Sequence, residues 1–358
     1  MTTFLQLHVL TTYAAANLNR DDTGRPKTLS FGGVDRLRVS SQSLKRAFRT
    51  SDVFAEATAG AHGTRSNTFT DSLVKSLRAR GLADEDIVKR VSAVIEKDKL
   101  GKPKKDKLTE TEQLVHLGPE ELARLNALAD RLVAGDELAD KETLVLVQKP
   151  RAADIALFGR MLADNPLYNV EAAAQVAHAF TTHKVSVEDD FYTAVDDLKA
   201  ANREADRGAG FIGVQEYGAG VFYLYVCLDA DQLVRNLAGD KALAGTTAEA
   251  FVEAIATVSP KGKQNSFASR AYASFALGEM GSRTPRSLAA AFVKPVGFEG
   301  ENDFESASKR RLIDLRTNFS RVYDPLAPEP TVLDVAAGTG SLVALKALTR
   351  EAVNAVKL

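Results

Sequence analysis

The 358-residue sequence predicts a mixed α+β protein in which a long helical insertion interrupts a sheet. Apolar residues alternate with polar ones near the start of the chain and again after residue 185, as in half-buried strands. Residues 57–180 are instead highly charged and have helical periodicity. Hydrophobic residues make up 45% of the chain and charged residues 26%, which is ordinary for a soluble globular protein.

The first elements are a strand, a polar loop and a short helix. Alternation predicts a strand over residues 4–10, with three residues on its buried side: Leu5, Leu7 and Val9. A loop rich in Asn, Asp, Gly and Pro leads to a short extended segment at 36–39. Ser40 or Ser41 then caps a helix that directs three side chains inward: Leu44, Ala47 and Phe48.

The insertion is expected to contain several amphipathic helices. They are predicted over residues 71–81, 84–97, 119–135 and 170–180. Gly81 and Gly135 are typical of helix ends, and Pro119 suits a first helical turn. The lysine-rich stretch 97–107 contains balancing acids, so we expect a mobile loop with a weak electrostatic role.

Strands return after residue 185. We predict strands over 189–198, 221–229 and 269–277, and a helix that begins at a Thr246–Glu249 capping box and stops at Pro260. The Gly-rich stretch 199–220 indicates a projecting hairpin or loop, and two further stretches are expected to be helical, at 285–296 and 301–322. Without the insertion, the order is strand, helix, strand, strand, helix, strand, as in ferredoxin-like folds and RNA-recognition (RRM-like) domains.

Residues 17–49 form a basic island in a chain whose formal net charge is -1. Eight cationic residues face only three acids, and they are Arg20, Arg25, Lys27, Arg36, Arg38, Lys45, Arg46 and Arg49. Gly32 and Gly33 would let the backbone approach a ligand, and a Ser-rich helix start offers hydroxyl and amide groups. A solvated surface is the alternative, but this layout favours a polyanion such as nucleic acid.

A second polar stretch, residues 259–266, contains Lys261, Lys263 and Gln264. Taken alone, it is typical of an ordinary loop. It gains functional weight if the fold places it beside the basic island.

Other candidate functions have weaker support. The stretch 331–342 resembles the glycine-rich motif of methyltransferases, but few residues follow it, so we expect a turn before a final helix in a peripheral tail. His178 and His183 are five apart, which does not suit a shared metal site on one helix. Cys227 is the only cysteine, which leaves no intramolecular disulfide, and it lies in an apolar run. We therefore expect no metal, no cofactor and no catalytic residue.

The start of the sequence alternates and does not resemble a secretory signal, and no stretch has membrane-spanning length. A cytoplasmic protein without membrane contacts is therefore expected.

Several motifs together resemble a known family. They are LNRDD, FGG, R-x-R-V-S-S-Q-S-L-K-R-A, ALFGRM, AHAFTTH, FYTAVDDL and QE-x-x-x-GVFY, in this order. The chain resembles the backbone subunit of the type I-E CRISPR surveillance complex, Cascade, of the CasC/Cse type in the RAMP superfamily. The resemblance covers the first 50 residues and roughly 150–230.

The resemblance implies a hand-like molecule. An RRM-like palm would comprise residues 1–56 and 181–300, helical fingers 57–180, a thumb hairpin 197–220, and a helical tail 301–358. Copies would form a helical filament along a CRISPR RNA, beside other Cascade subunits, and present the guide to a target DNA strand in antiviral defence.

The same resemblance implies specific contacts. The guide backbone would be bound by Arg20, Lys27, Ser40, Gln42, Lys45, Arg46, Arg49 and Arg160, and by a second loop with Lys261, Lys263 and Gln264. Met161 would wedge beside a displaced base, and Phe211 and Ile212 would be wedges at the thumb tip.

Such a subunit is a scaffold and not an enzyme. The alternative is a RAMP-type endoribonuclease that processes precursor CRISPR RNA, which needs a His or Lys at the scissile phosphate.

Overall fold

The computed structural model describes residues 2–97, 99–134, 145–194, 211–297, 303–324 and 328–357. The strands are β1 Phe4–Ala16, β2 Thr28–Phe31, β3 Val34–Val39, β4 Thr64–Ser66, β5 Val115–Leu117, β6 Ala174–Val176, β7 Ala179–Thr181, β8 Glu188–Ala194, β9 Phe211–Asp229, β10 Phe275–Gly281, β11 Thr331–Asp334 and β12 Thr339–Gly340. The mixed α+β class is thereby confirmed.

Eleven α-helices are described in these ranges. They are α1 Ser41–Arg49, α2 Asp52–Ala57, α3 Asp71–Ala79, α4 Asp84–Lys97, α5 Pro119–Ala134, α6 Ala153–Phe158, α7 Ala230–Asn236, α8 Lys241–Thr257, α9 Gln264–Phe267, α10 Phe304–Tyr323 and α11 Leu342–Asn354. Short 3₁₀ turns occur at Pro166–Tyr168 and Ala289–Phe292. No helix in the described part of the chain is both long and apolar enough to cross a membrane.

The main sheet is antiparallel and is built around β1 and β9. Its strand order is β12-β11-β10-β1-β9-β7-β3-β2, with β6 and β8 also paired to β9. β1 therefore lies between β10 and β9, and His8 stands opposite both Leu277 and Tyr225. β4 and β5 form a separate two-stranded sheet in the insertion.

Both faces of the main sheet are covered. Alternate residues of β1, such as Leu5 and Leu7, pack with α1, α2, α8 and α11 in one core. Leu10 belongs to a second core on the other face, where α10 and the turn Ala289–Phe292 cover the strands. Strand residues i and i+1 point to opposite faces, so one strand serves both cores.

The insertion has a core of its own. α3, α4, α5 and β5 contribute most of its buried residues, which include Leu73, Ile87, Val91, Leu117 and Leu125. Residues on α6, β6 and β7 instead join the first core of the main sheet. Leu162 and Tyr168, which lie between α6 and β6, still pack in the core of the insertion. Only α6, β6 and β7 of this region therefore return to the sheet.

Several predicted elements are wrong in type or position. Residues 170–180 form β6 and β7 and not a helix, because pairing with β9 outweighs the helix preference of an Ala-rich segment. Helix α8 starts at the Asp240 cap, whose carboxylate accepts from the Leu243 N–H. Thr246 and Glu249 are therefore internal and make no capping box. Of residues 285–296, only the turn Ala289–Phe292 is helical.

The C-terminal region is part of the main structure and not a peripheral tail. β11 pairs with β10, and α11 buries Leu345, Ala352 and Val353 in the first core. Gly340, at φ +72°, packs against the Val332 carbonyl, so this glycine serves a tight turn. The expected turn followed by a final helix is confirmed.

Candidate nucleic-acid interface

Helix α1 presents a polar face beside its capped start. Ser40 is the cap, and its Oγ accepts from the Ser43 N–H at 3.3 Å. Leu44, Ala47 and Phe48 are buried as predicted. The other faces carry the predicted RNA-binding residues of this helix: Gln42 and Arg46 are exposed, whereas Lys45 and Arg49 are half-buried.

Partial burial has an electrostatic consequence at Lys45. It lowers the pKa of the ammonium group, because the charged form loses solvation. An anion placed nearby would restore the lost solvation. Lys45 and Arg49 are four residues apart and lie on the same side of the helix.

The preceding loop is held against the start of α1 by Asn19. Asn19 Oδ1 accepts from the Ser40 N–H at 2.9 Å, and the Asn19 carbonyl accepts from the Lys27 N–H at 2.8 Å. Arg20, in a bridge with Pro26, is exposed. Arg25 is different, because its Nε donates to Glu216 at 2.6 Å. The loop therefore presents Arg20 and Lys27 at the start of α1, while the charge of Arg25 is compensated.

His178 joins this surface, although the sequence analysis considered it only as a metal ligand and did not place it beside the basic island. Its Nδ1 lies 3.3 Å from the Ser41 nitrogen, which donates to it, and 3.2 Å from Arg38 Nη1. Partial burial lowers the pKa of His178, and the charges of Arg38 and Lys27 lower it further. The imidazole is thus neutral at pH 7, with Nδ1 as an acceptor. The pairing of β3 with β7, which brings His178 here, was hidden by the helix predicted at 170–180.

Loop 261–264 lies beside loop 17–27, which is the placement that a functional role for it requires. A Cβ on Gly262 would stand 2.3 Å from the Leu18 carbonyl oxygen, so the two backbones are in close contact. Lys263 Nζ donates to Gln215 Oε1 at 3.2 Å, and Lys261 is exposed. The Gln264 amide donates to the Pro260 and Ser269 carbonyls, so this side chain holds the loop together. We call the combined surface of loop 17–27, α1, His178 and loop 261–264 the basic surface.

Two features of the island do not face a ligand. Arg36 is fully buried, and its guanidinium donates to the Thr181 and Phe292 carbonyls, each at 2.9 Å. Gly32 has φ +66°, and a Cβ there would stand 1.6 Å from the Val293 carbonyl oxygen. Its close approach is thus to the protein's own backbone, contrary to the ligand role expected for Gly32.

Arg160 is also buried, which argues against a direct contact with phosphate. Its guanidinium forms an ion pair with Glu121 at 2.6 Å and donates to the Tyr168 and Val147 carbonyls. The next residue, Met161, is 81% exposed. Arg160 thus fixes the segment from which Met161 projects.

β8 and the first half of β9 form an exposed antiparallel ladder, with Glu188 opposite Tyr217 and Ala194 opposite Phe211. Ile212 is 59% exposed, and Phe211 is the first residue of β9. Most of the predicted thumb, residues 197–210, lies outside the described residues. The described part shows that the ladder continues directly from the central strand of the sheet.

Most histidines are structural in their surroundings. His8 is fully buried and contacts Tyr223, and His183 stacks on Phe304 with ring centroids 4.2 Å apart. His116 Nε2 is 2.8 Å from the buried Asp154 carboxylate. Across the described ranges, no group of three or more His, Cys, Asp or Glu is arranged to hold a metal ion.

A family model supplies the identification. The model described as CT1975-like protein matches residues 5–356. The chain belongs to the CT1975-like protein family. No curated protein gives a significant match.

Two solved structures are similar over nearly the whole chain. One is a chain of a pre-nicking CRISPR RNA-guided surveillance complex, with 29% identity and a TM-score of 0.80, covering 98% of this chain and 100% of that one. The other is a chain of a CRISPR RNA-guided surveillance complex, with 26% identity and a TM-score of 0.60, covering 98% and 99%. The insertion and the C-terminal region therefore belong to the shared architecture.

Proposed function

We propose that this protein is a CRISPR RNA-binding backbone subunit of a Cascade-type surveillance complex of type I-E and has no catalytic role. The single observation that carries this proposal is the basic surface, where two separate loops and the start of α1 converge. Family membership and the similarity to chains of surveillance complexes support it.

The chemistry of the basic surface suits recognition of a sugar-phosphate backbone. Arg20, Lys27, Arg46 and Lys261 provide cations, and Gln42 provides an amide. Such groups bind phosphates and 2′-hydroxyls and carry no base preference of their own. A subunit that must accept any guide sequence requires such base-independent recognition. Base pairing between guide and target DNA then supplies the specificity.

The sheet order supports a ferredoxin-like palm. In the order β10-β1-β9-β7, the helices α1 and α2 connect β1 to β6 and β7, and α7 and α8 connect β9 to β10. This is the split βαβ arrangement of RRM-like domains. The palm so defined includes α6, β6 and β7, which were expected to belong to the fingers. The fingers would be the body with its own core, and the thumb the ladder of β8 and β9.

Exposed apolar side chains are suited to separate neighbouring bases. Met161 is 81% exposed and Ile212 is 59% exposed, and both stand outside any core of the described structure. Replacing either with Ala should alter nucleotide displacement more than affinity, because a wedge contributes little to phosphate binding. Chemical footprinting of the guide checks this, and unchanged protection of the displaced nucleotides would contradict the wedge role.

The endoribonuclease alternative is best tested at His178. It is the exposed histidine of the basic surface, whereas His8, His116 and His183 are buried. We expect the wild-type protein to leave repeat-containing precursor RNA uncut. Cleavage that is abolished by His178→Ala would instead establish the nuclease.

Co-expression with a CRISPR RNA and the neighbouring subunits tests the main proposal. We expect several copies of the chain to co-purify with uncut RNA from the cytoplasmic fraction. The copies should form a filament along the RNA, and the RNA in that filament should pair with target DNA. Two guides with unrelated spacers should be retained equally. Purification of the assembled complex without this chain, or with the basic surface away from RNA, would overturn the proposal.

A further inference from the structure

Asp154 is a buried carboxylate at the junction between the main sheet and the insertion. It lies on α6, it is fully buried, and four segments converge on it. Its Oδ1 accepts from the Gly63 N–H at 2.8 Å and from the Ile155 N–H at 3.1 Å. Gly63 belongs to the first segment of the insertion. The carboxylate therefore holds the point at which the chain leaves the main domain.

The second oxygen of Asp154 faces three basic groups. His116 Nε2, on β5 of the insertion, is 2.8 Å from Oδ2. Arg49 Nη1, at the end of α1, is 3.6 Å away, and His62 Nε2 is 3.8 Å away. Burial alone would raise the pKa of Asp154, but His116, His62 and the Gly63 N–H lower it to about 2. The carboxylate is thus charged at neutral pH.

Arg49 is the permanently charged partner of this carboxylate. Its side chain is only 18% exposed, and it lies one turn after Lys45 on the face proposed to bind the guide. A buried carboxylate attracts a guanidinium far more strongly than an exposed one does, because solvent screening is weak. This ion pair favours one orientation of Arg49 before any nucleic acid binds, which reduces the ordering cost of binding.

We propose that Asp154 is a positioning residue for RNA binding, which orients Arg49 on α1 and links that helix to the insertion through His116 and Gly63. This inference rests on the proposed function. It adds a residue that touches no nucleic acid and was absent from every sequence prediction. Its carboxylate is fully buried, and among the described residues Arg49 is its one contact on the basic surface, so the proposed effect on RNA runs through Arg49.

A double-mutant cycle between Arg49 and Asp154 tests the proposal. Asp154→Asn keeps the shape and an acceptor oxygen for the backbone N–H groups but removes the charge. Its affinity for a CRISPR RNA should be roughly fivefold weaker, a typical coupling between contacting residues. Arg49→Ala should weaken binding as well. In the Arg49→Ala background, Asp154→Asn should produce no additional loss.

The cycle separates positioning from a structural role. Urea unfolding of each variant measures folding independently, and the affinities are compared at concentrations where all four proteins are folded. An equal loss from Asp154→Asn with and without Arg49 would overturn the proposal, and so would an unchanged affinity. Lys45 is not among the contacts of Asp154, so the variant Lys45→Ala tests the proposed function independently of Asp154. If Lys45→Ala weakens binding and Asp154→Asn does not, only the role of Asp154 fails.

Discussion

At the scale of single residues, the arginines of this chain have three different roles. Arg36 donates to main-chain carbonyls inside the second core, Arg160 neutralises a buried glutamate, and Arg46 is exposed on α1. The sequence analysis placed Arg36 and Arg46 in the same basic island. Local composition cannot distinguish them, because burial depends on the distant segment around Phe292 that covers the strand.

Lys45→Ala should weaken RNA binding for every guide sequence. The loss of one phosphate contact should reduce the slope of log affinity against log salt concentration by roughly 0.7, which is the value per contact for single strands. Titrations at several salt concentrations with two unrelated guides provide the measurement. Arg124→Ala on α5, an exposed arginine paired with Glu120, is the matched control. A loss confined to one guide would speak against backbone recognition.

Arg160→Ala should act on folding more than on RNA. It leaves Glu121 buried and uncompensated, although the Gly118 and Val147 N–H groups still donate to it. Removing one partner of a buried pair typically costs about 3–5 kcal/mol. Urea unfolding should show this loss, and the double variant Arg160→Met with Glu121→Gln should recover part of it. Normal stability of Arg160→Ala, together with weaker RNA binding, would restore Arg160 as a direct contact.

At the scale of elements, the local signals of the sequence were sound wherever a segment determines its own structure. The cap at Ser40, the buried face of α1 and the full length of α4 were all predicted. The segment 170–180 was not, since its partner β9 lies about 50 residues away, at Tyr223–Leu228. The two loops of the basic surface, 17–27 and 261–264, were identified as candidates from the sequence. His178 was missed because its position depends on that same pairing.

Gly32 and Gly33 offer a matched pair in one turn. Both have positive φ, but a Cβ on Gly33 would meet nothing within 4 Å, whereas one on Gly32 would collide with Val293. Gly33→Ala should cost about 1–2 kcal/mol from left-handed strain alone. Gly32→Ala should cost a further 1–3 kcal/mol, roughly, because main chain must move. Denaturant unfolding measures both, and equal losses would contradict the close approach at Gly32.

At the scale of the whole molecule, the central strands of the sheet are covered on both faces. RRM-like sheets commonly stack bases on one surface, but here α10 and the turn Ala289–Phe292 cover that surface. His8 and Tyr223 are buried under them, and the half-buried Glu279 lies beside His8, with Arg286 and Arg316 next to the glutamate. The proposed RNA contact is therefore limited to the ends and edges of the sheet, where the basic surface lies.

The buried cluster makes stability sensitive to acid. Burial alone would raise the pKa of Glu279, but His8 and Arg286 lower it to about 2 from 4.5. A carboxyl group whose pKa is lower in the folded state adds to the free energy of unfolding, fully so above its unfolded pKa. For Glu279 this addition is about 3 kcal/mol. It disappears as the pH falls from 4.5 towards 2. Glu279→Gln should therefore show a flatter decline of unfolding free energy in this range. An unchanged slope would place the acid sensitivity elsewhere.

The nineteen residues of β9 connect the centre of the sheet to the exposed ladder without a loop between them. At the crossover the pairing with β1 shifts register between Tyr13 and Ala16, opposite Gly218 and Gly220. A Cβ on Gly218 would press on Leu37, and one on Gly220 on Thr181 and His183. The angle at which the ladder leaves the main sheet thus depends on core packing at these two glycines. Every copy in an assembly would inherit the same angle, which is the condition for a constant helical repeat.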